Sequence, residues 1–210
     1  MAERIHTGFE AHTKARDAAL GHARTLTRHC AHTIRAVHRE ERANAETELA
    51  AAAQLAAHLR ALHAEYPSVY YAGYTQDALK EYAEANIVFH LILDGGRLPT
   101  PEDLKVENDT YLKGLSEAVG ELRRRCLDIL RHGYSDEVER LLKHMDDIFN
   151  VLVTMDYPDA VTGGLRRLTD IARSIIERTR GDVTLSRRQQ ELQNTLGRLE
   201  KKLGKAGQED

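Results

Sequence analysis

Proline is scarce, cysteine scarcer, and no long apolar run occurs in the chain. With four prolines there are few sites where a backbone donor is missing, and few β-branched runs compete for strands. The remainder, rich in Ala, Leu, Glu and Arg, favours helix because straight-chain residues lose little rotamer freedom there. No segment approaches the roughly 18 to 20 apolar residues that cross a bilayer. The opening MAERIHTGFEAHTKARD has no apolar stretch of signal-peptide length, so neither secretion nor membrane insertion is expected. The two cysteines, Cys30 and Cys126, form no CxxC pattern, which fits a reduced, cytoplasmic setting with both thiols as small core residues. A formal charge of −3 excludes a uniformly basic nucleic-acid binder and leaves local patches to decide. No Gly-, Ser- or Pro-rich stretch splits the 210 residues. They read as a single helical domain over 1–210, with an ordered core at about 9–203.

What is present is helical periodicity. From Phe9 to Arg42, Leu20, Ala23, Leu26, Cys30, Ile34 and Val37 recur at spacings of three and four, which predicts one long amphipathic helix. An alanine-rich helix over Ala45–Glu65 stops before Pro67. Thr75 is placed to cap a third helix running to Asp94, where Gly95 and Gly96 supply backbone freedom. In RLPTPEDL, Thr100 caps a short helix with Pro101 at its first position. Asp109 opens a helix ending near Gly133, Ser135 caps one to Met155, and two more span Gly164–Arg180 and Asp182–Leu203, with a frayed tail beyond. Seven long helices with short joins predict an all-α bundle of largely antiparallel neighbours.

Two acidic pairs carry the chemistry. Glu81 and Glu84 are three apart and share a helix face, which leads into the apolar stretch ANIVFHLIL. Glu117 and Glu121 are four apart and share a row with Gly114 and Arg124, beside the core stripe of Tyr111, Leu115, Ala118, Leu122, Cys126 and Ile129. If the pairs converge, their oxygens suit a hard divalent ion, which neutralises phosphate and lowers the pKa of a bound water. With 33 acidic residues in the chain, the same spacing also describes an ordinary solvated face, and spacing leaves both readings open.

The surrounding words are more specific. LKEYAEANIVFH resembles the signature of the translin family, in its translin-associated factor X branch, at Leu79, Glu81, Tyr82, Glu84, Ala85 and His90. TYLKGLSEAVGELRRRC is similar to a second family segment at Tyr111, Leu112, Gly114, Glu117, Gly120, Glu121, Leu122, Arg124 and Cys126, and TIRAVHR (Thr33 to Arg39) to the end of its first helix. The resemblance implies a seven-helix fold, a closed and commonly octameric shell, and RNA held inside. The factor X branch implies a Mg²⁺-dependent endoribonuclease, with Mn²⁺ as a substitute, whose metal-binding and catalytic acids are here Glu81, Glu84, Glu117 and Glu121. The family carries aspartate at the third of these positions, so Glu117 is one methylene longer. The segment RLPTPEDLKVEND is short, as in a minimal form that assembles with itself.

Arg24, Arg28, Arg35 and Arg39 lie on one stripe of the first helix, able to follow a phosphate backbone or to serve as a solvated face paired with Glu40 and Glu41. Arg124 either holds a phosphate or pairs with Glu121 or Asp128. His29 and His32 have a spacing able to share zinc, but no nearby Cys or acid in the sequence completes a set, and a structural role is the simpler reading. His90 reads as a hydrogen-bonded core histidine. No Gly-rich phosphate loop or Ser/His/Asp signature appears.

Three functions follow. The first is an endoribonuclease cleaving RNA, chiefly single-stranded, inside a homo-oligomeric shell. The second is a non-catalytic binder of RNA or single-stranded DNA. The third is an all-α nucleotide pyrophosphohydrolase, against which stands the absence of its EExxE and ExxD pattern.

Overall fold

The computed structural model describes residues 1–95 and 97–206, with side chains as far as 202. The expectations placed on Gly96 and on the tail beyond Ala206 lie outside the described residues. Helices make up the fold: α1 (Ala2–His38), α2 (Arg42–Glu65), α3 (Pro67–Tyr70), α4 (Gly73–Phe89), α5 (Pro101–Leu104), α6 (Asn108–Leu130), α7 (Asp136–Val153), α8 (Asp159–Thr162) and α9 (Leu165–Ala206). None is long and apolar enough to cross a membrane among the described residues.

In α1 the buried positions Ala19, Ala23, Leu26, Cys30 and Ile34 recur at helical spacing, so its second half joins the core while Ile5 and Phe9 stay exposed. Buried Ala45, Ala52 and Ala56 of α2 lack bulk, and that lets α2 lie close against α1. Ser135 caps α7 by accepting from the Glu137 amide at 3.2 Å. Thr100 and Asp103 form a reciprocal capping box on α5.

Three local expectations change. Thr75 lies inside α4, whose cap is Ala72, because its hydroxyl donates to the Val69 carbonyl at 2.8 Å instead of capping. After Phe89 the helix widens into a π-helical turn, His90–Asp94, closed by Gly95 at φ +64°. Arginines from two other helices bond there: Arg140 donates to the Leu91 carbonyl and Arg42 to that of Leu93, each at 2.8 Å. The two final helices are one. A single mid-helix Gly costs only about 1 kcal/mol relative to Ala. Around Gly181, Thr179 and Val183 are buried, and Arg123 donates to the Thr179 hydroxyl at 3.0 Å and forms an ion pair with Asp182 at 2.9 Å. Tertiary contacts therefore carry the helix through.

Helices joined by short turns run antiparallel, as expected. α1 and α2 meet through His29 with Glu48 and His22 with His58. The pair α4 and α6 runs the other way. Thr110 donates to Gln76 at 2.8 Å, Gly114 lies on Lys80, and Glu117 meets the Lys80 ammonium, so contacts advance along both chains together. The crossover through α5 returns the chain to the starting end of α4, making the two helices parallel. That direction puts the two acidic pairs side by side.

Candidate metal centre and nucleic-acid interface

The close approach of α4 and α6 originates at Gly114. A Cβ there would lie 2.9 Å from the Lys80 carbonyl oxygen and 3.0 Å from the Glu84 amide nitrogen. No side chain fits, so the backbones touch, and Glu117, one turn later, reaches the acids of α4. Carboxylate oxygens of Glu81, Glu84 and Glu117 lie within 4.8 Å of one another. Among the described residues this is the group of His, Cys, Asp or Glu side chains that gathers in this way.

The fourth acid stands apart from that group. Glu121 accepts a hydrogen bond from Nε2 of His38, at the end of α1, at 2.6 Å, and lies 3.5 Å from Arg124. The His38 hydrogen bond holds the Glu121 carboxyl below the usual carboxylate range, against the opposing effect of burial. The His38 side chain is 4% exposed, and among the described residues its Nδ1 has no partner.

Glu84 is in the opposite condition. It is 7% exposed, and burial, followed by the charges of Glu81, Glu117 and Glu121, pushes its carboxyl up to about 8. Beneath the group lies the buried Cys30 thiol, also pushed up by burial and then by Glu81 and Glu84. Cys30 and Cys126 are both free and buried, as core residues should be.

One cation already serves the cluster. Nζ of Lys80 lies 2.6 Å from Oε2 and 2.8 Å from Oε1 of Glu117, and 3.1 Å from Oε1 of Glu81. Burial acts to lower its pKa, but the hydrogen bond and charge of Glu117, then Glu81, outweigh it and raise the value above that of ordinary lysine. Sequence reading passed over both Lys80 and His38. The signals were present: Lys80 is four residues before Glu84, hence on its face, and His38 is four after Ile34, extending the buried stripe of α1. Three carboxyl groups at this spacing, with Glu84 giving up its proton, fit Mg²⁺ or Mn²⁺.

Arg24, Arg28 and Arg35 of α1 and Arg39 at its C-cap are all exposed, and among the described residues none forms an ion pair. Glu40, a candidate partner, instead takes Arg125 at 2.6 Å. Arg24 lines a groove with Thr27, Asp77 and Glu81, which joins the basic stripe to the acids. Arg35 and Arg39 line another with His32, Asn44 and Glu48. Arg124 is placed beside Glu121 rather than Asp128, at 53% exposure. Glu48 of α2 supplies the acid that the sequence did not place near His29 and His32, at 2.6 and 3.6 Å, and the contact ties α1 to α2. His90 donates to the Asn86 carbonyl at 2.8 Å and lies 3.8 Å from Asp94.

No protein-family model matches the chain. An uncharacterized protein of Methanocaldococcus jannaschii is 30% identical over 187 residues, covering 88% of this chain and 82% of the relative. Among solved structures, AfC3PO superimposes with a TM-score of 0.82 at 32% identity, both alone and in its complex with duplex RNA, over 89% of this chain and 96% of that one. Apo-NeC3PO has the same fold, with a TM-score of 0.80, at 19% identity over 88% of this chain and 96% of that one. Bundle and relatives together define an all-α protein of the C3PO type. The chain belongs to the translin-like family that contains C3PO.

Proposed function

We propose that the chain is a Mg²⁺-dependent endoribonuclease of the translin-associated factor X type, cleaving RNA inside a cytoplasmic shell of its own copies, octamer-like in number. The observation that carries this reading is the convergence of Glu81, Glu84 and Glu117 within 4.8 Å at the edge of a groove that also holds Arg24. The complex of AfC3PO with duplex RNA supports the choice of substrate. Exposed Leu185, Leu192, Leu196 and Leu199 on the outer part of α9 support self-assembly.

Glu81, Glu84 and Glu117 would hold the ion, Mg²⁺ or Mn²⁺, which supplies charge neutralisation at the phosphate and a more acidic water. Glu121, oriented by His38 at 2.6 Å, is the remaining carboxylate at that end of the site. Arg24 offers a guanidinium for a phosphate oxygen at the other end, and Arg28, Arg35 and Arg39 extend the basic track along α1.

The deciding experiment incubates purified protein with single-stranded RNA, duplex RNA, single-stranded DNA and free nucleotides, each with Mg²⁺ or EDTA. Mg²⁺-dependent RNA cleavage, absent in Glu81→Gln and Glu117→Gln, is the expected outcome. Undiminished cleavage in both variants overturns the site. The Lys80 ion pairs favour one other reading, a salt-bridged cluster in a non-catalytic RNA or DNA binder. That protein would bind with a salt-dependent affinity and turn nothing over.

A further inference from the structure

Three carboxylates this close need positive charge between them, and the chain provides it from within. We propose that Lys80 is a tethered counter-ion, holding the acids of the metal centre in register and surrendering them to the incoming divalent ion by exchange. This rests on the metal-site reading above. It adds that ion binding is a displacement and not the filling of an open site.

Three observations carry the inference. First, the ammonium already takes both oxygens of Glu117 and the nearest oxygen of Glu81, at 2.6, 2.8 and 3.1 Å. A divalent ion held by those carboxylates would bring a second positive charge against the ammonium at the same oxygens, so the two compete for the site. Second, the ammonium is an incomplete partner. Among the described residues the Glu84 carboxyl has no hydrogen bond or ion pair, so the lysine serves two acids where three converge. A six-coordinate ion can serve all three. Third, the exchange needs only side-chain motion. The Lys80 backbone is pinned under Gly114, but its four-carbon stem is flexible and the side chain keeps 16% exposure.

The arrangement answers two demands. Without metal, the ammonium keeps mutually repelling acids packed; with metal, the released ammonium remains on its stem beside the groove where phosphate arrives. It also raises the ion concentration at which the site fills, since every binding event must break the Lys80 contacts.

The test labels lysines of the full chain with an acetylating ester in EDTA or in millimolar Mg²⁺, and reads the rate at Lys80 by mass spectrometry. Lys113, paired with Asp109 at 2.9 Å, is the internal reference. The expected result is a several-fold faster reaction of Lys80 with Mg²⁺ and no change at Lys113. In parallel, Mn²⁺ is titrated by its free-ion EPR signal into wild type and Lys80→Gln, and the variant should bind several-fold more tightly with unchanged stoichiometry. Binding by the variant alone overturns the exchange, since Lys80 would then be a permanent occupant that the ion does not displace. Mn²⁺ binding by wild type with Lys80 labelling unchanged or slowed overturns the exchange and leaves the metal site standing. No Mn²⁺ binding by either protein overturns both. The labelling measurement needs no substitution, so a variant that fails to fold leaves the inference open to refutation.

Discussion

Gly114 rests directly on the backbone at Glu84, with room for no atom beyond its α-carbon: a Cβ would stand 3.0 Å from the Glu84 amide nitrogen and 2.9 Å from the carbonyl oxygen of Lys80. Since both contacts are to backbone, no side-chain rotation relieves them. The spacing of α4 and α6, and with it the distance between Glu117 and the acids of α4, is set at this glycine.

Gly114→Ala should therefore destabilise the protein by about 1–3 kcal/mol through overpacking. In an open helix the same change stabilises by up to about 1 kcal/mol, so the sign is diagnostic. Denaturant unfolding measures it, and Mn²⁺ affinity should fall in parallel. A more stable variant would show that the helices are free to separate.

The pH dependence follows from Glu84, whose folded value of about 8 exceeds its ordinary 4.5. The folded state thus binds more protons across that interval, and metal-free stability should be greatest below the lower value and decline as pH rises through the upper one. Thermal unfolding in EDTA between pH 5 and about 8.5 should show the decline, and Glu84→Gln should flatten it. In wild type, Mn²⁺ affinity should rise over the same range, because the ion displaces a proton.

His38→Ala removes the partner that holds Glu121 ionised and leaves a void at the end of α1. RNA cleavage should fall by about 10- to 100-fold, as when a partner that orients a site carboxylate is lost. His38→Gln, able to donate to Glu121, should recover part of it. Equal loss in both variants would mean that the imidazole does more than position the acid.

If the α1 stripe follows a phosphate backbone, replacing Arg24 and Arg28 by Ala should weaken binding to all RNA sequences alike. The slope of log affinity against log salt should shrink by about 0.7 per arginine on a single strand. An unchanged slope would assign these residues to a solvated face.

Leu192→Glu with Leu196→Glu places two charges on the exposed leucine row of α9. Light scattering should report smaller particles than wild type, with unaltered helicity by circular dichroism. Particles of unchanged size would move the assembly surface elsewhere.

The local features were the most legible in the sequence. Thr100, Pro101 and Ser135 mark helix starts through short-range hydrogen bonding and fixed φ, and each does so in the structure. The acidic pairs were nameable because face-sharing on a helix depends only on spacing. Direction was not legible. Short joins predict antiparallel neighbours, whereas the path of the crossover, on which the parallel run of α4 beside α6 depends, is decided by tertiary packing. The same limit hid His38 and Lys80, whose meaning comes from partners 83 and 37 residues away. The continuity of α9 through Gly181 depends in part on Arg123, which lies on another helix, although the buried row Ala172, Ile176, Thr179 and Val183 does run through the glycine at helical spacing.

The acids arrive from two helices on either side of a crossover, and that ordering has a meaning during synthesis. A ribosome delivers Glu81 and Glu84 first, and a chain halted before α6 has half of the carboxylates and no point at which three of them meet. Under the proposed function, truncated translation products would be unable to cut the message from which they are being made. Competence would emerge only once α6 has been released and has docked on α4.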